Sequence, residues 1–126
     1  MRSLEVADFV PLSKLDRERA ERAVALGYPG IAPVIPQLLE WLQDINWPVA
    51  QILQPMLAGI GLPIAHDVRA IITGDDLVWT LWMLEYVVAY SPELIEELRP
   101  EIEALAGLSG DDEANDVAEA ARQLLS

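Results

Sequence analysis

The chain contains no cysteine, a single histidine and a single phenylalanine, and its 126 residues carry 8 lysines and arginines against 21 aspartates and glutamates. Each scarcity closes a class of chemistry. Without cysteine there is no thiol nucleophile, no iron–sulfur cluster and no Cys-ligated zinc, while the redox compartment stays open. With His66 as the only imidazole, multi-histidine metal sites are excluded as well. The shortage of bases leaves a formal net charge of -13, which argues against nucleic acid and anionic membranes as partners. Long apolar runs are missing too: the most apolar stretch, Leu77 to Tyr90, has 14 residues and includes Glu85. A bilayer-spanning helix needs about 20. Charges near the start, in Met1-Arg2-Ser3-Leu4-Glu5, interrupt any apolar segment, so no signal peptide is expected and the cytoplasm is the expected location. There is no glycine-rich phosphate loop, no nucleophile-elbow serine and no HExxH.

What is present is 52% hydrophobic residues, enough for one domain over 1–126 with a real core. For a chain of this size, folding is expected to remove roughly 13,000 Å² from water. The charge is unevenly spread. Residues 1–22 hold five acids and five bases, residues 23–90 hold six acids and one base, and residues 91–126 hold ten acids and two bases. The middle, with seven charges in 68 residues, must be buried or must meet a partner.

Helix signals recur along the whole length, and no segment alternates with period two. Ser13 with Asp16 reads as a variant capping box that opens a first helix, ended near Leu26 by Gly27 and carrying Leu15, Ala20, Ala23, Val24 and Leu26 as its apolar face. Ile31 to Leu42 has apolar residues at steps of three and four, with Pro36 expected to kink the helix or delay its start. Trp47 before Pro48 is pushed out of helical geometry, so Pro48 should begin a third helix, bent at Pro55 and ended by Gly59 and Gly61. Pro63 opens a fourth, with Ile64, Val68, Ile71 and Ile72 on one side. Asp75 is the expected cap of a fifth that continues to Tyr90. Ser91-Pro92-Glu93 starts a sixth that runs to about Ala106, and Asp111-Asp112-Glu113 loads the first turn of a seventh, ending at Leu124 or Leu125. The expected class is all-α.

The starts also recur in space along the chain. Pro29, Pro63 and Pro92 follow short turns at spacings of 34 and 29, and Trp47 and Trp79 lie 32 apart. Such a period fits a stack of helix pairs in units of about 13–44, 47–74 and 75–106, closed by a polar capping helix over 111–125. Prolines inside helices, at Pro36, Pro55 and Pro100, suit HEAT-type repeats.

The runs Leu26-Gly27-Tyr28-Pro29, Leu39-Glu40-Trp41-Leu42-Gln43-Asp44-Ile45-Asn46-Trp47-Pro48-Val49-Ala50, Gly61-Leu62-Pro63 and Gly74-Asp75-Asp76-Leu77-Val78-Trp79 resemble a family of small bacterial proteins catalogued as a domain of unknown function. The resemblance covers most of residues 12–105. It implies a HEAT-like helical fold in a bacterial cytoplasm and carries no catalytic residues with it.

Two constellations stand out. His66, Asp67, Asp75 and Asp76 are the acid–base candidates, and with Glu85 the aspartates can be imagined holding a hard cation, but helix capping accounts for the same residues without an ion. The stronger signal is for contact with another protein. Trp47 is either a core plug or an anchor; Trp79, Trp82, Tyr86 and Tyr90 form a stripe on one face of helix five, apolar all round, that suits either a core or a binding hot spot. Glu93, Glu96, Glu97 and Glu101 share one face of helix six by helical spacing, as a solvated ridge or as a docking surface. The leading expectation is a non-enzymatic protein-binding module without cofactor, an immunity-type inhibitor whose partner is a basic, toxin-like protein. Trp47, Trp79, Trp82, Tyr86, Asp75, Asp76, Glu93, Glu96, Glu97 and Glu101 are its candidate contact residues. The alternatives are a small metal- or ligand-binding enzyme around His66, Asp75 and Asp76, and a homodimer closed through helix five.

Overall fold

The computed structural model describes residues 5–126, and all regular structure among them is helical. Met1–Leu4, read above for a leader, lie outside the described residues. The α-helices are α1 (Arg17–Leu26), α2 (Ile35–Glu40), α3 (Pro48–Ala58), α4 (Ala65–Ile72), α5 (Leu77–Tyr86), α6 (Pro92–Glu97), α7 (Arg99–Ala106) and α8 (Asp112–Leu125). Short 3-10 turns at Val6–Phe9, Ala32–Val34, Trp41–Gln43, Leu62–Ile64 and Val88–Tyr90 join or extend them. No single helix among the described residues is long and apolar enough to cross a membrane. The chain forms two compact units, Met1–Leu57 and Ala58–Ser126.

In the first unit α1 begins one turn later than the Ser13 signal suggested. Asp16 is the cap: its carboxylate accepts from the Arg19 amide at 3.4 Å and from the Leu12 amide at 2.9 Å, gathering donors from both sides of the helix start. Ser13 Oγ accepts instead from the Leu15 amide in the preceding turn. Leu15 therefore falls outside the helix and is 61% exposed; Val24 and Leu26, also expected on the apolar face, are 39% and 44% exposed. The buried stripe of α1 is Ala20 and Ala23. Gly27 ends it at φ 66°, a conformation that favours glycine, with its N–H donating to the Ala23 carbonyl. Pro36 lies in the first turn of α2, where a missing amide hydrogen costs nothing, so the helix starts late and is not broken. Pro48 is the first residue of α3, whose Val49 amide donates to the Lys14 carbonyl. Ile31, Leu38, Leu39, Leu42, Leu53 and Leu57 are fully buried.

The second unit is built around small residues on α8. Ala114, Val117, Ala118 and Ala121 recur at steps of three and four and are buried, which lets α8 approach both α7 and α5 closely. Asp111 caps α8 by accepting from the Ala114 amide at 2.9 Å. The cap of α5 is Asp76, not Asp75: Asp76 Oδ1 accepts from the Trp79 amide at 3.0 Å. Buried Thr80 fastens α5 to the end of α4 through a hydrogen bond from its hydroxyl to the Ile71 carbonyl.

The expected single helix over 91–106 is two. Pro100 lacks an amide hydrogen and its ring excludes the carbonyl four residues back, so α6 stops at Glu97 and α7 starts afresh at Arg99. The fifth helix also stops short, at Tyr86, and Val88–Tyr90 tightens into a 3-10 turn ahead of extended Ser91, the residue before Pro92.

Three substitutions check this assignment. Asp76→Ala should lose about 1 kcal/mol of stability through the broken cap, whereas Asp75→Ala should stay within about 0.5 kcal/mol of the parent, in paired urea melts. Leu98→Ala, at the fully buried joint between α6 and α7, should lose about 2–5 kcal/mol in the same assay.

Candidate functional site

Arg69 is the lone base between residues 23 and 90, and the fold spends it on a junction within the second unit. From α4 its Nε donates to Glu101 Oε1 on α7 at 2.5 Å, and its Nη2 donates to the Glu97 carbonyl at the end of α6 at 3.1 Å. Glu97 Oε1 lies 3.7 Å from the same nitrogen. The Glu101 hydrogen bond, supported by the charges of Glu101 and Glu97 and opposed by partial desolvation, raises the Arg69 guanidinium above its ordinary range. One cation thus serves two carboxylates, one on each side of the break at Leu98.

That allocation leaves a gap. Glu101 Oε2 is buried with no hydrogen-bond partner among the described residues. Burying an acceptor without a donor costs about 1–3 kcal/mol. Glu101 stands in the wall of a cavity of about 460 Å³ formed where the end of α4, the start of α5 and the outer side of α7 meet, and Ile72, Leu77, Ala104, Leu105 and Leu108 make the rest of that wall largely apolar. A second cleft, of about 310 Å³, lies where Gly59, Ile60 and Gly61 face Tyr90, Pro92 and Glu93. Gly61 takes φ 78°, and a Cβ there would sit 3.4 Å from Ser91 Oγ, the cap of α6, so glycine suits this approach on both counts. Tyr90 is 64% exposed at this cleft.

The candidate contact residues are distributed as follows. Trp47, in the first unit, is half-buried and meets Trp41 edge to face, with ring centroids 5.7 Å apart. In the second unit Trp79, Trp82 and Tyr86 are half-buried, and Trp82 leans on Tyr86 with centroids 5.7 Å apart; Trp82 Nε1 is buried with no hydrogen-bond partner among the described residues. Asp75 and Asp76 are exposed in the turn before α5. Glu96 pairs with Arg99 at 3.1 Å, Glu97 and Glu101 are turned to Arg69, and Glu93 stands exposed at the Tyr90 cleft. The four glutamates do not form the single helical ridge that their spacing suggested, because α6 and α7 are separate helices. His66 is exposed in the first turn of α4 beside half-buried Asp67, and among the described residues no group of three or more His, Asp or Glu side chains is placed to hold a metal ion.

The charge balance of the second unit is lopsided. It holds fourteen acids and three bases, against seven and five in the first. Arg69, Arg99 and Arg122 are each paired, to Glu97 and Glu101, Glu96, and Glu119. Ten acids are left in that unit without a basic partner among the described residues. Reading along the chain overlooked Arg69, Leu105 and Leu108 as site residues. Arg69 could have been found, since an isolated base in an apolar segment needs a partner; the cavity could not, because it arises only where helices 32 residues apart meet.

Replacing Arg69 checks the junction. Arg69→Gln should lower the melting temperature in low salt, and the deficit should shrink as sodium chloride approaches about 1 M, where the Debye length falls to about 3 Å. A deficit independent of salt would assign the loss to packing of the arginine stem.

No curated protein matches the chain. Residues 9–125 match the family described as Domain of unknown function (DUF5071), and with nearly the whole length of the chain included, the protein belongs to that family.

Proposed function

We propose that this chain is a non-enzymatic protein-binding module whose partner presents a basic surface, and that it acts as an immunity-type inhibitor by covering the functional face of a toxin-like protein in a bacterial cytoplasm. The observation that carries this reading is Tyr90, 64% exposed beside exposed Glu93, on a unit with ten acids that no base offsets. Tyrosine in such a setting offers a large rigid contact area at low entropy cost, and the surrounding carboxylates steer and select a positively charged partner. Exposed Leu62, following Gly61 of the same cleft, adds apolar area to the contact. The period of Pro29, Pro63 and Pro92 supports a HEAT-type arrangement of helix pairs as the scaffold, in which one ridge is free for a partner.

The test is affinity capture from the native host with the parent chain and with Tyr90→Ala and Glu93→Lys. The parent should retain a basic protein at about 0.1 M salt and release it as salt rises, since charge steering is screened. Tyr90→Ala should weaken the purified pair about tenfold to thirtyfold. Retention of the same protein by all three chains, or capture of chaperones alone, would refute the assignment.

A further inference from the structure

We infer that the cleft beside Gly61 receives one arginine side chain of the partner, its guanidinium stacked on the exposed Tyr90 ring and paired with the Glu93 carboxylate. This contact rests on the basic protein partner proposed above and names the chemical group by which that partner is gripped.

Both recognising groups are within reach of solvent. Tyr90 is 64% exposed, Glu93 is exposed, and both line the cleft. Neither is engaged: among the described residues no ring packs on Tyr90, and no hydrogen bond or ion pair holds the side chain of either. The size is that of a single guest. About 310 Å³ is at the lower end of the roughly 300–1,000 Å³ typical of small-molecule sites, so the cleft admits one long side chain and not a folded segment. Its polar inventory selects a cation. No lining residue is a base, Ser91 Oγ already accepts from the Leu94 amide at 3.2 Å, and Pro92 has no amide hydrogen, so the start of α6 offers an anion little. The ten acids of this unit that no base offsets raise the local concentration of positive charge further. Arginine fits better than lysine. A planar guanidinium lies flat on a ring while its N–H groups reach a carboxylate, whereas a compact, strongly hydrated ammonium lacks that fork. Half-buried Ile60 and exposed Pro92 supply apolar surface for the methylene stem.

The test titrates the full chain with acetyl-Gly-Arg-Gly-amide, and with the same tripeptide carrying lysine or the neutral isostere citrulline at its centre, and follows backbone amide shifts by NMR in low salt. The arginine peptide should bind saturably, moving the amides of Ile60, Gly61 and Glu93, about tenfold more tightly than the citrulline peptide and about threefold more tightly than the lysine peptide. Glu93→Gln, whose spectrum also reports whether it folds, should bring arginine and citrulline to similar affinity. Tyr90→Phe should bind arginine as the parent does and Tyr90→Leu about threefold to fivefold less tightly, since the ring face is what is needed. Glu103→Gln, which removes an exposed acid outside the cleft, should leave the affinity unchanged. Equal binding of the arginine peptide and either comparator, shifts spread over the acidic surface without saturation, or parent-like affinity in Tyr90→Leu would each overturn the inference. Host capture that depends on Tyr90 and Glu93 without any peptide binding would overturn the arginine site and leave the partner standing. Saturable arginine binding with no basic protein captured would support the site and refute the inhibitor assignment alone.

Discussion

One guanidinium organises the chemistry of the second unit. Arg69 reaches from α4 to a backbone carbonyl at the end of α6 and to a carboxylate on α7, so a single side chain spans the break that Pro100 imposes. The pairing is partly exposed and therefore modest in its contribution to stability. Its larger consequence is positional: it fixes the Glu101 carboxyl with one oxygen engaged and the other buried without a partner among the described residues. A lysine would hold this place less well, because its compact ammonium lacks the planar fork that spreads fixed N–H groups toward a carboxylate and a carbonyl.

The remaining bases of the unit are also used locally, which makes its surplus of acids a property of the surface and not of the core. Alanines on α8 with Leu94 on α6, Leu98 at the joint and Ile102 on α7 help to build the interior, and the buried polar side chains among the described residues are Thr80 and the cap Ser91. With the core so economical in charge, the carboxylates are free to repel one another and to attract a basic partner. Self-repulsion of this kind lowers the stability of the isolated chain, and a complementary surface removes it on binding. Under the proposed function, exposed Tyr90 at the Gly61 cleft is where that attraction becomes a specific contact.

Local signals in the sequence were legible where one residue decides the outcome. Gly27, Pro48 and Ser91 each mark a helix end or start through backbone geometry that few other residues satisfy. The caps fall on Asp76 and Asp16 in place of the expected Asp75 and Ser13, because a neighbouring aspartate or serine offers the same chemistry and only the final backbone path selects between them. Leu15, Val24 and Leu26 looked like core by spacing, but the stripe that packs is the alanine pair, whose small size permits close approach. The division of α6 from α7 was within reach, since Pro100 stood in plain view inside the expected helix. The cavity was not: it needs the end of α4, the start of α5 and the side of α7 at once, a coincidence of distant segments that no periodicity encodes.

Uncompensated acidity on the second unit is the claim on which the functional reading stands, and the salt dependence of thermal stability probes it directly. Between about 0.01 and 0.15 M sodium chloride the Debye length falls from about 30 to about 8 Å, screening both the Arg69 pairing and the repulsion among unpaired acids. With ten such acids against three engaged bases, repulsion dominates, so the melting temperature of the unmodified chain followed by circular dichroism should rise across this range. A melting temperature that falls would mean that attractive pairings outweigh the repulsion, and the account of an acidic surface held ready for a basic partner would be wrong.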